Sequence, residues 1–351
     1  MMKIQDFDFS KDNSVFVIAE LSANHNGSLE AALDTIRAAK RTGANAIKLQ
    51  TYTADTLTIQ SDKDDFIIKS GSIWDGKTFY DLYNSAYTPW EWHEELFKCA
   101  REEGLICFSS PFDKTAVDFL EDLNVPAYKI ASFEITDIPL IEYVASKGKP
   151  VIISTGIATL EDIELALEAC YRKGNRSIAL LKCTSSYPAP IEEANMSMLT
   201  DFKERFNVIV GLSDHTMGST VPIVATALGA RIIEKHFIID RSIGGPDSSF
   251  SMNEKEFAEM VNAVRDAEKA LGQISYEPTK KQIDGRAFSR SLYVVKDIVK
   301  GERFTHDNVR SIRPGFSLAP RHLNSLIGKE APIAFKKGDR LTDDLIGNEI
   351  L

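Results

Sequence analysis

The sequence predicts a (β/α)8 barrel followed by a small second domain. Short β-branched runs alternate with helical-period segments up to about residue 272, eight times over. Each run turns polar at its C-terminal end, as strands do when their ends meet at one mouth. No GxGxxG follows any of the runs, which weakens the rival doubly wound sheet.

The runs, in order, are VFVIAE (15–20), AIKLQ (46–50), ICFSSPF (106–112), AYKIAS (127–132), PVIISTG (150–156), IALLKCTS (178–185), VIVGLSDH (208–215) and RIIEKHF (231–237). Helical patterns separate them. In LEAALDTIRAAKRTGA, Leu29, Leu33, Ile36 and Ala39 fall near helical spacing and Gly43 suits a C-terminal stop. In TLEDIELALEACYRKG, Thr159 with Asp162 resembles a capping box, and Leu160, Ile163, Leu167 and Cys170 form the face to be buried. The last helix, NEKEFAEMVNAVRDAEKALG, is closed by Gly272.

The polar strand ends are Glu20; Lys48 and Gln50; Ser109 and Ser110; Lys129 and Ser132; Ser154 and Thr155; Thr184 and Ser185; Ser213, Asp214 and His215; Lys235 and His236. One serine alone would read as a turn residue. Eight polar ends in register read as an active-site mouth. The connection after the second strand, from Thr51 to about Thr88, exceeds the usual βα loop. It carries SDKDD, a solvated face, and then the aromatic stretch IWDGKTFYDLYNSAYTPWEWH, read as satellite core and as a wall or lid of the mouth.

The assigned boundaries are a barrel over 1–272, a polar linker over 273–286 and a small domain over 287–351. In the last, KGERFT (300–305) is echoed by KGDRLT (337–342), which suggests two similar turns. The chain of 351 residues is 43% hydrophobic and 26% charged, an ordinary globular balance. A net charge of -10 disfavours broad attraction to nucleic acid or anionic membrane, so an anionic substrate needs a local basic site. Cys99, Cys107, Cys170 and Cys183 show no CxxC spacing and read as reduced thiols of a cytoplasmic protein. MMKIQDFDFSKD lacks an apolar core, so neither a cleaved export signal nor a membrane span is expected.

Chemistry concentrates at the strand ends. His215 and His236 end the seventh and eighth strands, which are neighbours in a barrel, and two imidazoles there can converge on one divalent metal such as Mn, Fe, Co or Zn. His25 is a weaker candidate, and His93, His306 and His322 read as peripheral. Within RIIEKHFIID, alternation places Glu234 on the face of His236 and Lys235 on the other. Glu234 then either orients a ligand from behind or forms an ion pair inside the barrel. Lys48 and Lys129 sit in apolar surroundings, so each requires an acid partner, a lowered pKa or an anionic ligand. Ser110, Ser132, Ser154 and Ser213 add neutral donors suited to a phosphate and a carboxylate. A Schiff-base lysine is the rival reading. Glu20, Glu134 and Asp247 are the acidic candidates.

Taken together and in order, IAELSANHNG, AIKLQTY, FSSPFD, YKIAS, ISTG, CTSSYPAP, GLSDHT, EKHF and GGPDSSFSM resemble the sialic acid synthase family across nearly the whole chain. The C-terminal segment is similar to the antifreeze-like (SAF) domain of those enzymes. The resemblance implies condensation of phosphoenolpyruvate with an N-acetylated amino sugar, release of phosphate, and a divalent metal, typically Mn with Mg or Co as alternatives. It implies His215 and His236 as metal ligands, with Glu20 near metal-bound water. Lys48, Ser110, Lys129, Ser132, Ser154 and Ser213 match positions that hold phosphoenolpyruvate. Ser185 joins that set as a departure, since the family's CTNxYP motif commonly has Asn there. Glu134, Tyr187 and Asp247 match positions around the sugar, and Glu134 and Asp247 stand with Glu20 and the two histidines in the expected catalytic set. Arg313, in SIRPGF, matches an arginine that reaches the sugar's N-acetyl group from the partner subunit, which implies a homodimer with exchanged SAF domains.

Within the family, YDLYNSAYTPWEWH and CTSSYPAP look most like the pseudaminic acid branch, whose acceptor is 2,4-diacetamido-2,4,6-trideoxy-L-altrose and whose product would feed glycosylation of surface structures such as flagellin. Aromatic groups such as Trp74, Tyr80 and Tyr83 near the mouth would suit its methyl and second acetamido group. N-acetylneuraminate and legionaminic acid synthesis are the alternatives. The 3-deoxy-octulosonate phosphate synthases would want a second basic cluster and lack the SAF domain. A sugar- or ice-binding protein without catalysis does not explain charged strand ends around a whole barrel.

Overall fold

The computed structural model describes residues 2–71 and 74–345. It divides into two units, Met1–Gly272 and Gln273–Leu351. The first begins with a hairpin of β1 (Lys3–Ile4) and β2 (Phe7–Asp8). Eight parallel strands follow: β3 (Phe16–Glu20), β4 (Ala46–Thr51), β5 (Ile106–Pro111), β6 (Tyr128–Ile130), β7 (Val151–Ser154), β8 (Ile178–Cys183), β9 (Ile209–Asp214) and β10 (Ile232–His236). They pair in sequence order, and β10 closes onto β3, so the sheet has no free edge. These are the strands that the β-branched runs predict, trimmed by a residue or a few at their ends, except β4, which runs one residue further, to Thr51.

Two apolar layers follow from the alternation along each strand. Phe16, Ile18, Ala46, Phe108, Ile152, Ala179, Leu181 and Ile232 fill the barrel interior, and Met2, Ile4 and Phe9 of the hairpin segment pack onto them. Val17, Ala19, Ile47, Leu49, Cys107, Ile130 and Ile153 belong to the larger layer shared with the surrounding helices. The helices start where side chains can cap them. Ser28 accepts from the Ala31 N–H to open Leu29–Arg41. Thr159 and Asp162 make both bonds of a capping box before Leu160–Arg172, and Asn253 and Glu256 do the same before Glu254–Leu271.

The long connection after β4 has structure of its own. It holds helices Ala54–Leu57 and Phe79–Ala86 and an antiparallel bridge between Ile67 and Thr78, with Ile68, Leu82 and Ala86 buried. The segment read as a linker also differs from expectation. Lys280–Gly285 is a short helix whose capping box uses Thr279 and Gln282, on an otherwise exposed stretch. Its polarity hid a T-x-x-Q start signal.

In the second unit, β11 (Ser291–Val294) pairs antiparallel with β12 (Val309–Ile312). Leu292, Val294, Ile298, Phe304, Val309, Leu318, Leu326, Phe335 and Leu341 form a separate core. The echoed segments make the same turn. Gly301 and Gly338 have φ of 85° and 97°, where a side chain would be strained. In each turn the following acid caps a backbone N–H three residues before it: Glu302 takes that of Val299 at 3.0 Å, and Asp339 that of Lys336 at 2.6 Å. No helix among the described residues is long and apolar enough to cross a membrane.

Candidate active site

Register determines what meets at the mouth. Glu20 pairs with Lys48 across β3–β4 and with His236 across β3–β10, while Glu234 pairs with Ser213 across β9–β10. Glu234 Oε1 accepts from Lys48 Nζ at 2.8 Å, Lys129 Nζ at 3.0 Å and Ser213 Oγ at 3.3 Å. Lys48 Nζ also lies 3.0 Å from Glu20 Oε1, which accepts from Gln50 Nε2 at 2.9 Å. Of the charges interrupting the eighth strand, Glu234 therefore centres an ion-pair network inside the barrel. Lys235 points the other way, to Asp214 Oδ2 at 2.5 Å and the Thr216 carbonyl.

All four charged groups of the network are buried. Burial opposes ionisation of Glu20, but the Lys48 ammonium, with His236 and Lys129, outweighs it and holds the carboxyl well below the usual range. Lys48 is likewise penalised by burial, yet Glu20 and Glu234 raise it above an ordinary lysine. Lys129, with Glu234 as its single ion-pair partner among the described residues, is pulled down by burial. Two ammonium and two carboxylate groups balance, so anionic substrate would meet donors already fixed in place rather than a loose excess of charge.

The histidine rings sit with centroids 5.3 Å apart. His215 Nδ1 is 2.9 Å from the Thr184 carbonyl oxygen, to which it donates, and this leaves Nε2 as the free lone pair. His236 Nε2 lies 3.5 Å from Glu20 Oε2, and its Nδ1 lies 3.9 Å from Asp247 Oδ2, buried and without a hydrogen-bond partner among the described residues. No group of three or more His, Cys, Asp or Glu placed to hold a metal occurs among the described residues. The two imidazoles with Glu20 beside them fit a divalent ion bound through two nitrogens, its other positions left to water and substrate. His25 is not part of this pair: it receives the Gly27 N–H at 3.0 Å, meets Thr88 Oγ1 at 3.2 Å, and burial lowers it to about 4. His93, which the sequence places at the periphery, is buried between Thr51 Oγ1 and the Pro89 carbonyl.

Serine hydroxyls lie at or just past the ends of β5 to β8. Ser132 Oγ accepts the Gly156 N–H at 3.1 Å. A Cβ on Gly156 would lie 2.0 Å from Ser185 Oγ and 2.7 Å from Ser132 Oγ, so glycine keeps this space open for both. Ser110 Oγ and Ser154 Oγ are buried with no partner among the described residues. A buried hydroxyl left unsatisfied costs about 1–3 kcal/mol, a cost that an anionic ligand would remove. Glu134 follows β6 with its Oε2 buried and unpartnered among the described residues, and burial pushes its carboxyl up to about 7.

Aromatic rings wall the histidines. Tyr187 lies 4.3 Å from His215, and Phe250 lies 5.1 Å from both Tyr187 and His236. Trp74 of the long loop is 5.7 Å from Tyr187. A cavity of about 400 Å³ adjoins this wall, lined by Asn26, Trp74, Lys77, Ser85, Gly245 and Pro246. Tyr83 stands in the electrostatic neighbourhood of Glu134, whereas Tyr80 pairs with Asp55. Asp247 Oδ2 accepts from Ser22 Oγ at 2.5 Å. Arg313 belongs to the second unit, where it is exposed just beyond β12.

Gln50 stands among the polar strand ends read from the sequence, but without a role; sequence reasoning did not assign Cys183, Gly156, Ser22 or Phe250 to the site. Cys183 shares strand parity with Ser185, so strict period-2 reading would have found it. Phe250 and Ser22 lie in irregular loops, where no period operates.

The NeuB family matches residues 35–276 and the SAF domain matches residues 289–346. The chain is 52% identical over 334 residues to a pseudaminic acid synthase of Campylobacter jejuni, covering 95% of this chain and 97% of that one. It is 47% identical over 329 residues to a pseudaminic acid synthase of Helicobacter pylori, covering 93% and 96%. A crystal structure of an N-acetylneuraminic acid synthetase from Leptospira borgpetersenii superposes with a TM-score of 0.69 at 32% identity, covering 78% of this chain and 90% of the other.

Proposed function

From the chain's membership of the NeuB family, to which it belongs by nearly its whole barrel, we propose a pseudaminic acid synthase that condenses phosphoenolpyruvate with 2,4-diacetamido-2,4,6-trideoxy-L-altrose and releases phosphate. One observation carries the chemistry: a single mouth joins two buried ammonium groups, and hydroxyls without a partner among the described residues, to a pair of imidazoles. The choice of acceptor rests on the relatives of about half identity, which bear that name.

Lys48, Lys129, Ser110, Ser132, Ser154, Ser185 and Ser213 hold the phosphate and carboxylate of phosphoenolpyruvate. His215 and His236 would hold a divalent metal, Mn by preference and Mg or Co as alternatives, whose charge would polarise the acceptor's aldehyde. Carbon 3 of phosphoenolpyruvate forms the new bond to the aldehyde carbon, and positive character develops at carbon 2. One water adds there and one phosphate leaves. One proton of that water goes to the aldehyde oxygen; the other goes to the departing phosphate as the bond from carbon 2 to the bridging oxygen breaks and the carbon 2 hydroxyl becomes the ketone. Glu20, kept ionised by Lys48, orients the water. Glu134, Tyr187 and Asp247 receive the sugar, with Trp74 and Phe250 supplying apolar wall.

The working unit is a homodimer in which Arg313 of the partner subunit reaches the acceptor. Its exposure within its own unit supports that role. Four free, buried thiols are in keeping with a reducing cytoplasm.

Phosphate release from phosphoenolpyruvate, with Mn or with EDTA, tests the reading. The diacetamido-trideoxy-altrose and N-acetylmannosamine are offered in parallel. Mn-dependent release with the first sugar alone is the expected result. Release with N-acetylmannosamine makes the protein an N-acetylneuraminate synthase. Release with neither, but with the legionaminic acid precursor, moves it to that branch.

A further inference from the structure

The loop after β3, LSANHNG (21–27), holds the loop after β10 at three alternate positions. Ser22 Oγ donates to Asp247 Oδ2 at 2.5 Å, and the Ala23 N–H reaches the same oxygen at 3.5 Å. Asn24 Nδ2 donates to the Phe237 carbonyl at 2.9 Å and to Ser251 Oγ at 2.8 Å, and Ser251 Oγ donates to the Asp247 carbonyl at 2.6 Å. Asn26 Nδ2 donates to the Ile243 carbonyl at 2.8 Å. The two loops come close enough that a Cβ on Gly245 would meet the Ala23 carbonyl at 3.4 Å.

Ser22 and Asn26 both have positive φ, 48° and 43°, but Asn26 is exposed and of a type that tolerates this region, whereas Ser22 is buried and of a type that seldom occupies it. Such a backbone persists where the surroundings enforce it, and the bond it secures is a charge-assisted one to a site carboxylate. A loop that merely sealed the barrel could do so through Asn24 and Asn26, whose bonds end on backbone and on Ser251. The Ser22 hydroxyl instead ends on the one carboxylate that this loop carries near His236.

We propose that Ser22 is a positioning residue for acceptor binding: it binds Asp247 Oδ2, fixes the carboxylate's rotamer, and leaves Oδ1 for a hydroxyl or amide of the sugar. This rests on the reading of Asp247 as a sugar-binding group.

The test is a double-mutant cycle of Ser22→Gly and Asp247→Asn in the full-length protein. Glycine removes the hydroxyl while suiting the positive φ, so a folding defect is not built into the variant. Ser22→Ala is run beside it. Acceptor KM, phosphoenolpyruvate KM and the calorimetric Kd of the diacetamido sugar are measured for each. Ser22→Gly is expected to raise acceptor KM and Kd about tenfold, to leave phosphoenolpyruvate KM unchanged, and to add less than about twofold once Asp247 is Asn. A full effect in the Asp247→Asn background overturns the proposal, as does an equal rise in both KM values. Wild-type turnover with Ser22→Gly indistinguishable from it overturns this proposal alone. A wild type that neither binds nor turns over the diacetamido sugar overturns the acceptor reading as well.

Discussion

Glu134 shows how one side chain can carry a pH response. Burial dominates its titration and lifts its carboxyl to about 7, with Asp137 adding to the rise and Lys129 and Lys48 opposing it. Below that pH it is a neutral acid able to donate a hydrogen bond to a sugar oxygen; above it the donor is lost. Acceptor KM should therefore climb as pH passes about 7, with phosphoenolpyruvate KM following a different course. Glu134→Gln keeps an N–H donor at every pH and should flatten that climb, while Glu134→Ala should raise KM throughout. Steady-state kinetics from about pH 6 to 9 decide the matter, and an undiminished climb in Glu134→Gln would move the response to another group. The linkage has a fixed sign. The folded carboxyl titrates above its ordinary 4.5, so the stability it contributes is complete below 4.5 and is lost as pH rises through about 7.

At the scale of the element, the end of β7 is the most restrictive point in the site. Gly156 has an ordinary φ, so its constraint is room and not backbone freedom. A methyl there would meet Ser185 Oγ at 2.0 Å and Ser132 Oγ at 2.7 Å. Gly156→Ala should push both hydroxyls aside and raise phosphoenolpyruvate KM by roughly tenfold or more, the scale of one or two lost hydrogen bonds to an anion. Acceptor binding should change far less; a rise confined to acceptor KM would show that the two serines face the sugar. The same comparison shows what was legible. The barrel strands could be read because β-branched runs and polar ends repeat with a fixed period, and so could Lys48, Lys129, His215 and His236, which lie on that period. The Thr159–Asp162 cap was readable because its signal is local. The Glu234 network was half legible: parity put Glu234 on the face of His236, but only register across several strands brings Lys48 and Lys129 to the same oxygen. Gly156, Ser22 and Phe250 act through contacts between loops far apart in sequence, which no window of residues contains.

At the scale of the whole molecule, the second unit has its own core and needs a reason to be attached to a barrel whose mouth already holds donors, imidazoles and aromatic wall. The proposed reason is Arg313, offered by each subunit to the other's mouth across a closed two-fold dimer. Residue exchange between subunits makes a distinctive prediction. Arg313→Ala impairs the arginine supply but leaves its own barrel intact; His236→Ala disables its barrel but leaves its own arginine intact. Each homodimer should be nearly inactive. If the two are unfolded together and refolded as mixed dimers, the His236→Ala subunit supplies its arginine to the intact barrel of the other. About half of randomly assorted dimers are mixed, each with one complete site of two, so about a quarter of wild-type activity should return. If each SAF domain served its own barrel, no mixed dimer would contain a complete site and activity would stay at the level of the separate variants. Sedimentation of the wild type supplies the accompanying check, since a monomer at working concentration would remove the exchange before any mixing was attempted.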